Sequence, residues 1–180
     1  MSRRIGNLLA DRATENLVGR REELAILLRA LEEDSPLVIH IHGIGGVGKT
    51  SLLEAFAPRA RARGAAVAHL DCRAIEPTEH AFVRELGAAI GGDPATPEEA
   101  AERLGSLGSR VVLILDTYEV FRTMDTWLRQ VFVPVLPENV RVILCGPGQP
   151  ARAEGTGPLR GIARGALRTA AWSGCRRCPS

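Results

Sequence analysis

The chain has 180 residues, 45% of them hydrophobic, which suits one buried core and leaves no room for two sizeable ones. No run approaches the roughly 18 uninterrupted apolar residues that a bilayer span needs, and Met1–Asn7 has no long apolar stretch behind its two arginines, so no membrane role is expected and the cytoplasm is the expected location. The formal charge of +2 is unevenly spread: residues 1–150 carry 17 Arg and Lys against 20 Asp and Glu, whereas 151–180 carry six Arg against one Glu. A basic end without aromatic interleaving or a helix-turn-helix pattern carries no direct nucleic-acid site by this reading.

Residues Arg21 to about Glu33 place Leu24, Leu27, Leu28 and Leu31 at helical spacing among charges, predicting an amphipathic helix that stops at Asp34-Ser35-Pro36. Leu37–His42 is a β-rich run that leads straight into Gly43-Ile44-Gly45-Gly46-Val47-Gly48-Lys49-Thr50, and Thr50–Ala57 resumes a helical pattern. Pro58 is expected to kink this helix and Gly64 to close it, before a short strand Ala65–Leu70 that ends at Asp71. A helix from Thr78 to about Ile90 follows. Another opens at Thr96-Pro97-Glu98-Glu99, where Thr96 caps, Pro97 takes the first helical position and Glu99 completes a capping box, and it ends near Gly105 to Gly108.

Arg110–Asp116 reads as a strand buried on both faces with an acid at its carboxyl end. A helix containing Trp127, Leu128, Val131 and Phe132 breaks at Pro134 and Pro137, and Val140–Cys145 supplies a fourth strand. Alternating strands and helices predict an α/β fold with a parallel sheet, and the glycine run Gly43–Thr50 between strand and helix makes it a P-loop NTPase three-layer sandwich by expectation. From Gly146 the pattern dissolves into Gly, Pro, Ala and Arg. No fifth strand is expected, so the sheet reads as incomplete at its C-terminal end, with at most a short helix around Leu159 to Ala171. The organisation is an N-terminal extension 1–16, a P-loop ATP-binding domain 17–146 and a poorly ordered tail 147–180.

The glycine run carries the chemistry. Phosphate oxygens are met best by several converging backbone N–H groups and a cation, so glycines permit the curled loop and close approach, the following helix offers its positive end, Lys49 reaches the phosphates and Thr50 offers a hydroxyl to Mg²⁺. The expected nucleotide contacts are Gly43, Gly45, Gly46, Val47, Gly48, Lys49, Thr50 and Ser51. Lys49 is also the only lysine in the chain. A chain that otherwise uses arginine keeps lysine where a compact, flexible ammonium is needed.

Mg²⁺ needs a carboxylate as well, and Asp116 stands where a parallel sheet places ligand groups; its other reading is a helix cap or turn residue. With Thr117 next to it, Glu119 is the nearest carboxylate and is both the candidate for polarising the attacking water and, equally, a solvated loop glutamate. Lys49, Asp116 and Glu119 are thus the expected catalytic set, with Thr50 and Asp116 on the metal. His40 and His42 share a strand face, but two ligands do not make a metal site and they read as satisfied strand histidines. Cys72, Cys145, Cys175 and Cys178 are too scattered for a disulfide framework, and the Cys175–Cys178 pair lacks the partners a zinc site requires, so reduced thiols are expected.

Asn16–Leu24, containing Val18-Gly19-Arg20, with the loop Ile41–Thr50 and Leu113–Glu119, together resemble the STAND and Orc1-like branch of AAA-type ATPases from about Leu17 to Gly146. The resemblance implies ATP and Mg²⁺ as ligands, puts Val18, Gly19 and Arg20 near the adenine and ribose, and inserts the strand at Val140–Cys145 between the loop strand and the Walker B strand that ends at Asp116. It also implies a signalling or transcription-regulating context and a protein partner, or self-association through the ATPase face. Two departures lower the expected hydrolysis rate: Pro147 stands where relatives often carry a γ-phosphate-sensing arginine, and the helical lid that follows in the family has no counterpart here. A non-hydrolysing nucleotide switch is therefore the first alternative and a small-molecule kinase the second.

Overall fold

A computed structural model describes residues 21–29, 31–32 and 37–147, together with the backbone of 167–171. Val18, Gly19, Arg20, Cys175 and Cys178, and most of the tail expected to be poorly ordered, lie outside the described residues. The elements in chain order are α1 (Arg21–Arg29), β1 (Val38–His42), α2 (Lys49–Ala62), β2 (Ala66–Asp71), α3 (Glu79–Ile90), α4 (Pro97–Gly105), β3 (Val111–Asp116), β4 (Val140–Gly146) and β5 (Leu167–Ala171). Between β3 and β4 the chain passes through a helical segment, 118–135.

All strand pairs are parallel and the order across the sheet is β2-β3-β4-β1-β5. β4 lies between β1 and β3, as the resemblance implied. Parallel pairing brings every strand's carboxyl end to the same edge, where Gly146 is level with His42, and Asp116 with Asp71.

The two faces are read directly from strand alternation. Ile39, Ile41, Val112, Ile114, Ile143 and Cys145 pack with Leu24, Leu27 and Leu28 of α1 and Leu52, Leu53 and Phe56 of α2. Their neighbours Val38, Leu113, Leu115, Val142 and Leu144 pack instead with Phe82 and Leu86 of α3, Leu104 of α4 and Phe121, Leu128 and Phe132 of the segment 118–135. Helices cover both faces, so β1 and β3 are buried along their whole length and read in sequence as continuous apolar runs rather than alternations.

Local signals hold the helices in register. Thr78 and Thr96 each cap a helix, accepting from Ala81 N and Glu99 N at 3.2 Å. Glu99 returns its bond to Ala95 N at 2.8 Å, one residue before the position a capping box uses. α2 runs unbroken through Pro58 to Ala62.

Three expectations change. A fifth strand exists: Leu167–Ala171 pairs with β1 along its full length, and the short helix expected up to Ala171 is a strand over these residues. Its sequence, Leu-Arg-Thr-Ala-Ala, carries little β-propensity of its own, and the open edge of β1 supplies the pairing that defines it. The helix expected around Trp127–Phe132 is a succession of a 3₁₀ stretch (Tyr118–Met124), one α turn (Asp125–Trp127), a π stretch (Leu128–Phe132) and a last 3₁₀ turn (Val133–Val135), which packs Phe82, Trp127 and Phe132 together. Finally, His40 and His42 are buried in β1, yet the Nε2 of each has no hydrogen-bond partner, so they are not satisfied strand histidines.

Burial, reinforced by the nearby Arg129, lowers the His40 imidazole to about 4, against a smaller upward pull from Asp125. The folded state therefore binds fewer protons than the unfolded chain between pH 6.5 and about 4, and stability is full above that window and falls as the pH drops through it. Denaturant titrations should show the parent losing about 2 kcal/mol more than a His40→Leu variant between pH 7 and pH 5. Equal losses would mean that His40 is protonated without penalty.

Candidate functional site

Gly43 to Gly48 carry the backbone from the end of β1 into the first turn of α2. Gly46 and Gly48 adopt the left-handed conformation, with φ of 79° and 78°, which a side chain disfavours by roughly 1–2 kcal/mol. Gly48 is also the residue that starts α2, with no side-chain cap and no acid in the first turn. The first amides of a helix have no intrahelical acceptor and carry the positive end of its dipole, so this terminus is built to receive an anion. Around Gly45 and Gly46, a Cβ would meet no heavy atom within 4 Å.

Lys49 folds back over the loop and donates to the carbonyl oxygens of Gly43 at 2.9 Å and Ile44 at 3.1 Å. Its ammonium is thus held at the mouth of the loop by two neutral acceptors. Thr50 is exposed and Ser51 half-buried in the same turn. The loop residues, Lys49, Thr50 and Ser51 are brought together as expected.

The acids come from β3 and the turn after it. Asp116 is buried at 4% exposure, and one oxygen accepts from Thr117 N at 2.8 Å. Burial and then the neighbouring Asp116 carboxylate push the buried Cys145 thiol far above its ordinary range, while Lys49 pulls it slightly the other way. Asp116, Cys145 and Lys49 therefore share one electrostatic neighbourhood. At the end of β2, Arg73 of the following turn forks onto Asp71 with contacts of 2.7–3.2 Å, and that hydrogen bonding holds the Asp71 carboxyl below the usual range. The fork offsets the charge of one of two acids standing side by side on β2 and β3.

Thr117 has a left-handed backbone (φ 56°), the one such non-glycine residue among those described. A β-branched residue there is strained. The turn throws Tyr118 and Glu119 back over the sheet edge. Glu119 Oε2 lies 3.0 Å from where a Cβ on Gly146 would be, and it is buried without a hydrogen-bond partner. Tyr118 donates to Asp125 Oδ1 at 2.6 Å, and Asp125 Oδ2 stands 2.8 Å from Arg129 Nε in an ion pair. Burial and then that bond to Asp125 push the Tyr118 phenol well above its ordinary range, so it stays a donor. Tyr118, Cys145 and Gly146 were not singled out from sequence. Their signal is positional, since each lies within two residues of the carboxyl end of a buried strand.

A family model described as an AAA ATPase domain matches residues 16–174. The chain belongs to the AAA ATPase domain family. Among solved structures of the same fold, the Aeropyrum pernix ORC1 protein in complex with DNA matches at 20% identity with a TM-score of 0.56, over 72% of this chain and 39% of that one. Drosophila ORC bound to DNA matches at 20% identity with a TM-score of 0.58, over 91% of this chain and 44% of that one. This AAA ATPase domain thus spans less than half of either solved chain. No curated protein matches it. Among the described residues, no helix is long and apolar enough to cross a membrane.

The loop glycines make separable predictions. Gly46→Ala forces an alanine into the left-handed region and should cost about 1–2 kcal/mol in a thermal or urea melt. Gly45→Ala meets open space at an ordinary φ and should be neutral, or stabilising by up to about 1 kcal/mol through the unfolded chain. Equal destabilisation of the two variants would show that the curl of the loop does not depend on Gly46.

Proposed function

We propose that this AAA ATPase domain binds ATP with Mg²⁺ at the carboxyl edge of its sheet and hydrolyses it slowly when alone. The carrying observation is a start of α2 with no side-chain cap and no acid in its first turn, behind two left-handed glycines, with the sole lysine over the loop carbonyls. In this reading the backbone amides of Gly45 to Ser51 cradle the phosphates. Lys49 exchanges two neutral carbonyls for phosphate oxygens, a trade favoured because charge-assisted bonds are roughly twice as strong as neutral ones. Thr50 and Asp116 would hold Mg²⁺, which would supply positive charge against the charge developing on the phosphates. Glu119 orients the attacking water, supported by its buried, unpartnered oxygen.

The residues from about 17 to 146, extended by β5, form the nucleotide-binding unit. The resemblance of its loop and Walker B strand to STAND proteins supports a signalling or transcription-regulating protein, with a partner or a second copy meeting the ATPase face and Val18, Gly19 and Arg20 on the base and ribose. A cytoplasmic location goes with this reading, since Cys72 and Cys145 are free buried thiols. The two solved structures cited are DNA complexes, so the expectation that this chain lacks a nucleic-acid contact has lost its support. A nucleotide-dependent switch with negligible hydrolysis is the second reading, favoured by Pro147 after β4 in place of the sensor arginine that the resemblance leads one to expect.

Lys49→Ala should weaken ATP binding by about 1.5–3 kcal/mol in calorimetry while the fold persists. Unchanged affinity would remove Lys49 from the phosphate site. Asp116→Asn should reduce the Mg²⁺ dependence of ATP binding, whereas Glu119→Gln should leave binding nearly unchanged and lower turnover.

The chain alone should turn over slowly, because a γ-phosphate-facing arginine supplied by a partner is worth roughly 10³–10⁵ in rate in phosphate-loop enzymes. Several turnovers per second without a partner, abolished by Lys49→Ala, would show a self-sufficient enzyme instead.

A further inference from the structure

Two buried polar atoms near the nucleotide loop have no hydrogen-bond partner: Nε2 of His42 and Oε2 of Glu119. Each such atom costs about 1–3 kcal/mol relative to a satisfied one. They belong to distant parts of the chain, yet the sheet register sets them over adjacent positions. His42 ends β1, is only 7% exposed, and is paired in register with Gly146 of β4. Register partners in neighbouring parallel strands project to the same face about 4.8 Å apart. On that face, a Cβ at Gly146 would stand 3.0 Å from Glu119 Oε2 and 3.9 Å from Tyr118 Cβ. The Glu119 carboxylate therefore occupies the space that a side chain at 146 would fill, one strand away from the His42 imidazole. Gly146 is not among the positive-φ glycines, so space rather than backbone conformation requires glycine there.

We propose that His42 is a positioning residue for Glu119, its Nε2–H donating to the Glu119 carboxylate across the gap that Gly146 leaves once ATP·Mg²⁺ is bound. The proposal deepens the reading of Glu119 as the water-orienting group and rests on it. His42 precedes Gly43, whose carbonyl now holds Lys49, so displacement of that ammonium by phosphate acts on the residue beside the imidazole. Of the other nearby groups, Arg73 is committed to its fork on Asp71, and His40, whose Nε2 is also unpartnered, sets its ring edge-on to Tyr118 at 5.9 Å. The unpaired Nε2 gives a histidine here no stability advantage, because an apolar residue would leave no unpaired nitrogen.

The test uses the full chain in excess over ATP·Mg²⁺ in single-turnover hydrolysis, with calorimetric ATP affinity and thermal melts alongside. His42→Leu should slow hydrolysis by about tenfold or more, change affinity by less than about twofold and leave the melting temperature equal or higher. His42→Gln, whose amide nitrogen reaches as Nε2 does, should recover part of the rate. His42→Leu added to Glu119→Gln should slow it no further, since the two act through one contact. A readout independent of turnover is the imidazole resonances of isotope-labelled His42 with a non-hydrolysable ATP analogue and Mg²⁺, which Glu119→Gln should shift. Parental hydrolysis in His42→Leu, or His42 resonances indifferent to Glu119→Gln, overturns the proposal while leaving Glu119 in place. Parental hydrolysis in Glu119→Gln overturns the Glu119 reading itself, and the role of His42 with it.

Discussion

The backbone must pass from a strand buried on both faces to a helix packed against one of them in the six residues Gly43–Gly48. Neither end can give way. β1 is hydrogen-bonded between β4 and β5, and Leu52, Leu53 and Phe56 of α2 are almost completely buried. The connection closes by placing Gly46 and Gly48 in the left-handed region, and α2 starts there without a side-chain cap. The anion site is thus a by-product of how a central parallel strand is joined to its helix. In magnitude the helix end contributes about 0.3–1 kcal/mol, less than a charge-assisted contact from Lys49, but it acts through several amides at once and fixes where the phosphate must sit.

The acids reach the same place from opposite faces of the sheet. Asp116 continues the face of Val112 and Ile114, toward α1 and α2, whereas Glu119 rests over Gly146 on the face shared with Leu144 and Tyr118. The left-handed Thr117 makes that crossing within three residues. Such a conformation costs about 1–3 kcal/mol. The bond from Tyr118 to Asp125, and the Asp125–Arg129 pair, tie down the chain just beyond it and offset part of that cost. Strain at Thr117 and a clamp at Tyr118 are two halves of one device that aims Glu119.

Charge at this edge explains why nucleotide and metal are proposed together. Asp71, Asp116 and Glu119 are set against Lys49 and Arg73, and the Arg73 fork is already committed to Asp71. A bare triphosphate entering beside Asp116 and Glu119 would meet two carboxylates with one lysine to balance them. A divalent cation between phosphate and Asp116 turns that repulsion into attraction.

Strand, glycine loop, helix and the acid-tipped strand β3 were all legible from residue order, because burial on both faces writes β1 and β3 as apolar runs and because glycine, lysine and threonine at fixed spacing form a recognisable phosphate-loop pattern. Local capping by Thr78 and Thr96 was legible for the same reason. β5 was not, since Leu167–Ala171 is a strand only by pairing with the edge of β1, a contact between residues more than a hundred positions apart. Nor was the irregular segment 118–135, whose 3₁₀ and π turns follow from packing Phe82, Trp127 and Phe132 together rather than from any periodicity. Sequence alone determined that Gly43–Thr50 form one glycine-rich turn between a strand and a helix, because that signal is carried by contiguous residues. Tertiary structure alone decided that His42, Gly146 and Glu119 share a face, because parallel register and a left-handed turn set spacings that no local pattern records.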